Sequence, residues 1–221
     1  MTPPELIDPN IVGQYTANTQ VILSFGAAMG GFEFAMQLRW DLMKRLYNMQ
    51  WNSDPARVYL DAESLKNESN TSYNWDNQLG IYKMKNHFWA SFYQGAMSQA
   101  KCMIFLFTQQ WLNSQYCWEE LQWYRQRLEG PTAIKPIFVV FPDARHMLST
   151  QAIVSRDGKR HNPSHIWESM LKVPKAAKVD INTIADQSIR SVSSIAGHSY
   201  SYRYACSEPE LNQILHHVAT A

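Results

Sequence analysis

Val21-Ile22-Leu23-Ser24-Phe25 is a short apolar, β-branched run stopped by Gly26, and it reads as a buried strand. From Phe32 onward, Ala35, Leu38, Leu42, Leu46 and Met49 recur at helical spacing on one stripe, with Arg39, Asp41, Lys44 and Arg45 mostly off it. A strand therefore feeds a helix through the loop Gly26 to Gly31. Arg57 to Asp61 is a second strand candidate, followed by a long polar stretch, 62–86, rich in Asn, Ser and Tyr and read as a loop. Trp89, Phe92, Tyr93, Ala96 and Ala100 share one helical face, and Cys102 to Thr108 forms the third strand. Ser114 can cap a helix running to about Leu128 and ended by Gly130-Pro131, after which Ile134 to Phe141 is the fourth strand. Beyond Pro142 the pattern offers Val179 to Ile184 as a last strand and Pro209 to Val218 as a closing helix. Residues 1–18 are polar and Pro-bearing and read as a lead-in, leaving 19–221 as the domain.

Strands alternating with helices predict βαβ units, hence an α/β fold with a mainly parallel five-stranded sheet covered on both faces. In such sheets the ligand crevice lies at the carboxyl ends of the strands. Phe25 to Gly31, Asp61 onward and Thr108 to Cys117 then surround one candidate site. The first loop reads Gly26-Ala27-Ala28-Met29-Gly30-Gly31, which is not G-x-G-x-x-G, and no G-x-x-x-x-G-K-[ST] occurs. Both omissions disfavour dinucleotide hydride chemistry and P-loop phosphate chemistry.

Composition narrows this further. A chain of 221 residues with 20 Lys+Arg against 19 Asp+Glu has no excess of positive charge for a nucleic-acid face. The longest apolar runs, Cys102 to Phe107 and Ile137 to Phe141, are far below the roughly 20 residues that span a bilayer. Met1-Thr2-Pro3-Pro4-Glu5 lacks a basic and an apolar signal region, and three cysteines without C-x-x-C spacing suit reduced thiols. The expectation is a cytoplasmic protein with no nucleic-acid or membrane partner.

The window Ser114-Gln115-Tyr116-Cys117-Trp118-Glu119-Glu120-Leu121 carries most of the candidate chemistry. At about 100° per residue, Cys117, Leu121, Tyr124 and Leu128 form the buried stripe. Glu119 then lies nearly opposite and is expected in solvent, whereas Glu120 sits at the edge of the stripe, flanked by Tyr116, Trp123 and Arg127. A carboxylate there can reach a cleft while its stem is packed, or can simply pair with Arg127. Cys117, on the core stripe, reads as packing rather than as a nucleophile. His161-Asn162-Pro163-Ser164-His165 has histidines four apart, but Pro163 opposes a helix and no third ligand is evident, so a surface loop is expected there. Arg156, Lys159 and Arg160 around Asp157-Gly158 read as a solvated turn, and Lys172, Lys175 and Lys178 as an exposed face.

Val21-Ile22-Leu23-Ser24-Phe25, Val58-Tyr59-Leu60-Asp61, Ile104-Phe105-Leu106-Phe107-Thr108, Ser114-x-Tyr116-Cys117-x-x-Glu120-Leu121 and Lys135-Pro136-Ile137-Phe138 together resemble the successive signatures of a TIR (Toll/interleukin-1 receptor) domain, over about residues 19–142. The resemblance implies a flavodoxin-like three-layer sandwich. Members of that family are either scaffolding adaptors or enzymes that cleave the nicotinamide–ribose bond of NAD, and their catalytic glutamate matches Glu120. NAD would be the substrate, with no cofactor and no metal, and the products nicotinamide and ADP-ribose or a cyclic ADP-ribose-type signal. Nicotinamide leaves as a neutral molecule from a pyridinium, so one carboxylate can suffice where ordinary glycosidases need two. Tyr116 would pack against the nicotinamide ribose, and Phe25, Gly26, Ala27 and Asp61 would complete the substrate site, the apolar loop contributing backbone. Similarity to stand-alone microbial TIR proteins of the Thoeris-like type implies anti-phage defence with a separate sensor or effector protein. The stretch Ala62 to Asn86 corresponds to the family's assembly loop and carries Tyr73, Trp75 and Tyr82, so it is expected either to mediate self-association or to fold Trp75 and Tyr82 back over the sheet edge. Two other classes stay open, a non-enzymatic TIR scaffold and a nucleoside N-glycosyl transferase. Residues 143–206 exceed what the resemblance covers.

Overall fold

The computed structural model describes residues 9–50, 54, 56–60, 73–76, 81–84, 89–127, 134–149, 152–173, 175–184 and 204–221. Its elements in chain order are α1 (Pro9–Thr16), β1 (Val21–Phe25), α2 (Gly31–Tyr47), β2 (Val58–Tyr59), β3 (Tyr73–Asp76), β4 (Ile81–Met84), α3 (Trp89–Gln99), β5 (Cys102–Phe107), α4 (Gln109–Leu112), α5 (Gln115–Gln126), β6 (Lys135–Val140), α6 (Pro142–Leu148), β7 (Ile153–Val154), β8 (Arg160–His161), α7 (Pro163–Leu171), β9 (Ala177–Asp180) and α8 (Glu208–Ala219).

The continuous apolar runs become strands buried on both faces, as a parallel sheet requires. Five of them form one sheet in the order β2-β1-β5-β6-β9, every pair parallel, with Val21 opposite Cys102 and Ile104 opposite Ile137. Taken in chain order this is 2-1-3-4-5, the flavodoxin-like α/β arrangement, whose direction of winding reverses between β1 and β5. Alternation along β1 divides its side chains between two layers. Val21 and Leu23 pack with α2 and α8, while Ile22 packs with α3, α4 and α5. Both sides are dry: Val21, Ile22, Ile104 and Phe105 have no exposed surface.

Several expectations need correction. The fifth strand is Ala177–Asp180, starting two residues and ending four residues earlier than Val179 to Ile184, because its ladder with β6 runs from Ala177 opposite Ile137 to Asp180 opposite Val140. The lead-in contains α1, whose Tyr15 meets Phe92 edge-on at 5.8 Å and whose Val12 fills the space beside Gly95. The polar stretch 62–86 contains the antiparallel pair β3–β4, with Trp75 in register opposite Tyr82. An alternating pattern, Tyr-Asn-Trp-Asp, was present there but short. The segment around Pro163 is not a surface loop. It is strand β8 running into α7, where Asn162 accepts from the backbone N–H groups of Ser164 and His165 and Pro163 takes the first helical position, which tolerates proline because that N–H has no partner in any helix.

The far end of the sheet is fastened by polar groups. Glu210 of α8 accepts hydrogen bonds from the Asn182 and Thr183 amides (2.6 and 3.2 Å), the Thr183 hydroxyl (2.6 Å) and the Ser207 amide (2.7 Å). Burial opposes its ionisation, but these donors prevail and hold its carboxyl down at about 2. Lys135 Nζ donates to the His217 carbonyl (2.7 Å) and the Thr220 hydroxyl (3.0 Å), placing a cation at the negative end of α8.

Candidate functional site

Ser24 is a lone hydroxyl in a strand of apolar side chains and is fully buried, so it must find its hydrogen-bond partners inside the protein. It finds two. Its Oγ accepts from the Trp111 indole Nε1–H at 2.8 Å and donates to Glu120 Oε2 at 2.6 Å. The Tyr93 hydroxyl donates to the same carboxylate oxygen at 3.0 Å. The chain of donors is directional: indole N–H to serine, serine O–H to carboxylate, and tyrosine O–H to carboxylate from the other side. Its 2.6 Å step has the length of a charge-assisted O–H···O bond.

Each member is placed by its own element. Ser114 caps α5 by accepting from the Cys117 amide, and Cys117, Leu121 and Tyr124 bury the stripe that sets the roll of the helix. The Tyr124 hydroxyl donates to the Ile134 carbonyl (3.1 Å) and Trp118 Nε1–H to the Leu112 carbonyl (2.7 Å), fixing α5 at both ends. That roll turns Glu120 toward β1, and Glu120 is more deeply buried than its position at the stripe's edge predicts, with 7 % of its surface exposed. Glu119 is half-buried rather than free in solvent. Arg127 does not pair with Glu120 and instead donates to the Gln94 carbonyl at 3.3 Å. Trp111 is held by α4, which Thr108 caps by accepting the Trp111 amide at 3.0 Å.

Tyr93, which donates to the carboxylate, belongs to a cluster of aromatic rings. Trp89 meets Tyr93 and Tyr116 edge-on at 6.0 and 5.6 Å and lies tilted against Trp123 at 5.1 Å, while Tyr59 meets Tyr93 at 6.0 Å. Tyr116 is the open edge of this group, 54 % exposed. The arrangement provides flat apolar surfaces beside one fixed carboxylate at the topological switch point, which suits a ligand with a ring and a developing positive charge.

The other expected site residues are dispersed. Phe25 packs on the opposite face of the sheet, tilted against Phe32 at 6.1 Å, and only its carbonyl reaches α5, accepting from Cys117 Sγ at 3.3 Å. Gly26 is required for packing, since a Cβ there would stand 2.4 Å from the backbone of Gln110 and Trp111. Ala27 is half-buried and its carbonyl accepts the Phe32 amide at 3.3 Å. The loop then passes through left-handed backbone at Met29 (φ 57°) and Gly30 (φ 89°). Asp61 lies outside the described residues. Ser24, Tyr93 and Trp111 belong to the site although sequence reasoning had not singled them out. The signal for Ser24 was its isolation within an apolar strand.

Neighbouring groups do not compete with Glu120. Cys117 is buried, and burial, followed by the adjacent Glu120 carboxylate, pushes its thiol well above the ordinary range. In the β7–β8 hairpin, Ser155 Oγ donates to Asp157 Oδ1 at 2.5 Å and lies 2.8 Å from His161 Nε2. A serine whose proton is directed at a carboxylate is a link, not a nucleophile. Hydrogen bonds from Ser155 and Lys159 hold Asp157 down at about 2, and His161 stacks flat on Trp118 at 4.0 Å, so the hairpin braces the start of α5. An apolar gap bordered by Phe107, Trp118, Trp167 and Met170 has no titratable side chain in its lining. Among the described residues no three His, Cys, Asp or Glu side chains are placed to hold a metal, and no helix is long and apolar enough to cross a membrane.

No family model matches the chain, and no solved structure matches it. The chain is similar to a curated protein of Pseudomonas syringae pv. tomato, 3′ cyclic ADP-D-ribose synthase HopAM1, with 39 % identity over 130 residues. The match covers 58 % of this chain and 46 % of that relative, so the chain spans about half the length of the protein it matches.

Proposed function

We propose that this chain is a TIR-type enzyme that cleaves the nicotinamide–ribose bond of NAD, with Glu120 as the catalytic carboxylate. The observation that carries the reading is the placement of Glu120: a buried carboxylate, fixed by two hydroxyl donors, one of them in the aromatic cluster of Trp89, Tyr93 and Tyr116, at the point where the sheet reverses its winding. The similarity to a cyclic ADP-ribose synthase supports the same reaction class.

In this reading the C–N bond breaks heterolytically and its electron pair leaves with nicotinamide, which departs neutral. The positive charge left at the ribose anomeric carbon is stabilised by the Glu120 carboxylate. Water then attacks to give ADP-ribose, or a hydroxyl of the same molecule attacks to give a cyclic ADP-ribose, and in either case one proton is released, with Glu120 as the nearby acceptor. Tyr116 and Trp89 offer ring faces and edges to the departing pyridine. Ser24 and Trp111 lie behind the carboxylate and keep water from that side.

The test is incubation of the purified protein with NAD, following nicotinamide release and separating the ribose products. Release with a cyclic product supports the cyclase form of the reading, ADP-ribose alone supports the hydrolase form, and transfer of the ribosyl group to an added base points to the N-glycosyl transferase class. A scaffold role is the second reading, favoured by the deep burial of Glu120. It predicts no release under any condition. Anti-phage defence with a separate sensor or effector is the setting that accompanies the enzyme reading, and infection-dependent loss of cellular NAD is its check.

A further inference from the structure

We propose that Ser24 and Tyr93 are positioning residues for the reaction, fixing Glu120 through one of its two oxygens, and that Trp111 sets the direction in which Ser24 donates. This rests on the reading of Glu120 as the catalytic carboxylate. Both bonds end on Oε2, at 2.6 Å from Ser24 and 3.0 Å from Tyr93, and they come from two different elements, β1 and α3. A carboxylate gripped at one oxygen from two directions can neither rotate about its last torsion nor retreat from the strand edge, so its negative charge is held where the oxocarbenium forms. The Ser24 hydroxyl would otherwise be free to turn. The indole N–H of Trp111, 2.8 Å from the same Oγ, occupies the acceptor side and leaves the serine proton directed at Glu120.

The three residues reach the site from sequence positions far apart, and none is exposed: Ser24 and Trp111 have no accessible surface and Tyr93 has 1 %. They therefore act on substrate only through Glu120. Loss of such a contact lowers the turnover number, because the transition state is stabilised less, and changes ground-state binding of NAD little. A role confined to packing would instead lower the melting temperature and the amount of active enzyme without altering the catalytic constants of each folded molecule.

The experiment measures kcat and KM for nicotinamide release by the full chain and by Ser24→Ala, Tyr93→Phe and Glu120→Gln, with active-site concentration corrected by the folded fraction from thermal melting. The expected result is a fall in kcat of about tenfold or more in Ser24→Ala and a smaller fall in Tyr93→Phe, with KM changed less than about threefold in each, since one hydrogen bond to a charged group is at stake. Tyr93→Phe keeps the ring and remains informative if Ser24→Ala folds poorly. Parental kcat in both variants beside an inactive Glu120→Gln overturns the positioning role and leaves the catalytic reading standing. Parental activity in Glu120→Gln, or no nicotinamide release by the parent, overturns the catalytic reading and the positioning role with it.

Discussion

Ser24 and Glu120, separated by 96 positions in the chain, are joined by a 2.6 Å hydrogen bond that ties helix α5 to the first strand of the sheet. The bond lies on the side of β1 that faces α3 and α5, beside the reversal in winding between β1 and β5. The site is thus anchored on a rigid strand and a capped helix rather than on loops, an arrangement that holds a catalytic group to within fractions of an ångström.

Replacing Gly26 by alanine should destabilise the fold by about 1–3 kcal/mol, because a Cβ would meet the backbone of Gln110 and Trp111 at 2.4 Å and neither can move without shifting α4. Gly13→Ala is the control. Gly13 lies in α1 with nothing within 4 Å of the added carbon, and the change should be neutral or stabilising by about 0.5–1 kcal/mol. Urea unfolding of both variants measures the difference.

Glu210 makes stability depend on acid. Its carboxyl is held at about 2, below its ordinary value near 4.5, so its contribution is complete above pH 4.5 and is lost as pH falls toward 2. Glu210→Gln should lower stability at pH 7 on the order of 2 kcal/mol and flatten the pH 2–4.5 portion of the stability curve. Thermal melting at a series of pH values is the measurement, and an unchanged acid slope in the variant would remove Glu210 from the account.

The thiols should be unreactive in the native protein. Burial raises Cys102 to about 12 and Cys206 to about 11, and lifts Cys117 well above the ordinary range. Treatment with a thiol-specific alkylating agent at pH 7.5 should therefore modify the folded chain far more slowly than the unfolded one and leave the proposed NAD cleavage intact. Rapid inactivation accompanied by labelling of Cys117 would point to a nucleophilic cysteine instead.

Self-association through the stretch from Ala62 to Asn86, which contains the antiparallel pair β3–β4, is a proposal that rests on the length of the stretch. Specific activity should then rise with protein concentration, and deletion of the hairpin should abolish that rise without lowering the melting temperature. Concentration-independent turnover in both proteins would leave each site complete within one chain.

What could be read from the sequence follows the physics of each element. Val21 to Phe25 and Cys102 to Phe107 are unambiguous because strands covered on both faces are continuous apolar runs. Glu120 was legible because the stripe of Cys117, Leu121 and Tyr124 fixes the roll of α5. Its partners were not, because the positions facing Ser24 and Tyr93 depend on how β1, α3 and α5 meet in space, and no local pattern encodes that. Pro163 misled for a different reason: proline is excluded from a helix interior but welcomed at its first position, and the capping role of Asn162 decides between the two. The fifth strand was placed too late, by two residues at its start and four at its end, because Lys178 and Asp180, paired at 2.8 Å, dilute the apolar signal.

The most direct test of the central claim is nicotinamide release from NAD by Glu120→Gln and Glu119→Gln measured side by side with the parent. Both variants keep the shape of the side chain and lose its charge, so the comparison isolates the carboxylate. The account predicts a loss of about a hundredfold or more in kcat for Glu120→Gln and no more than a few-fold change for Glu119→Gln. Equal activity in the two variants would contradict it.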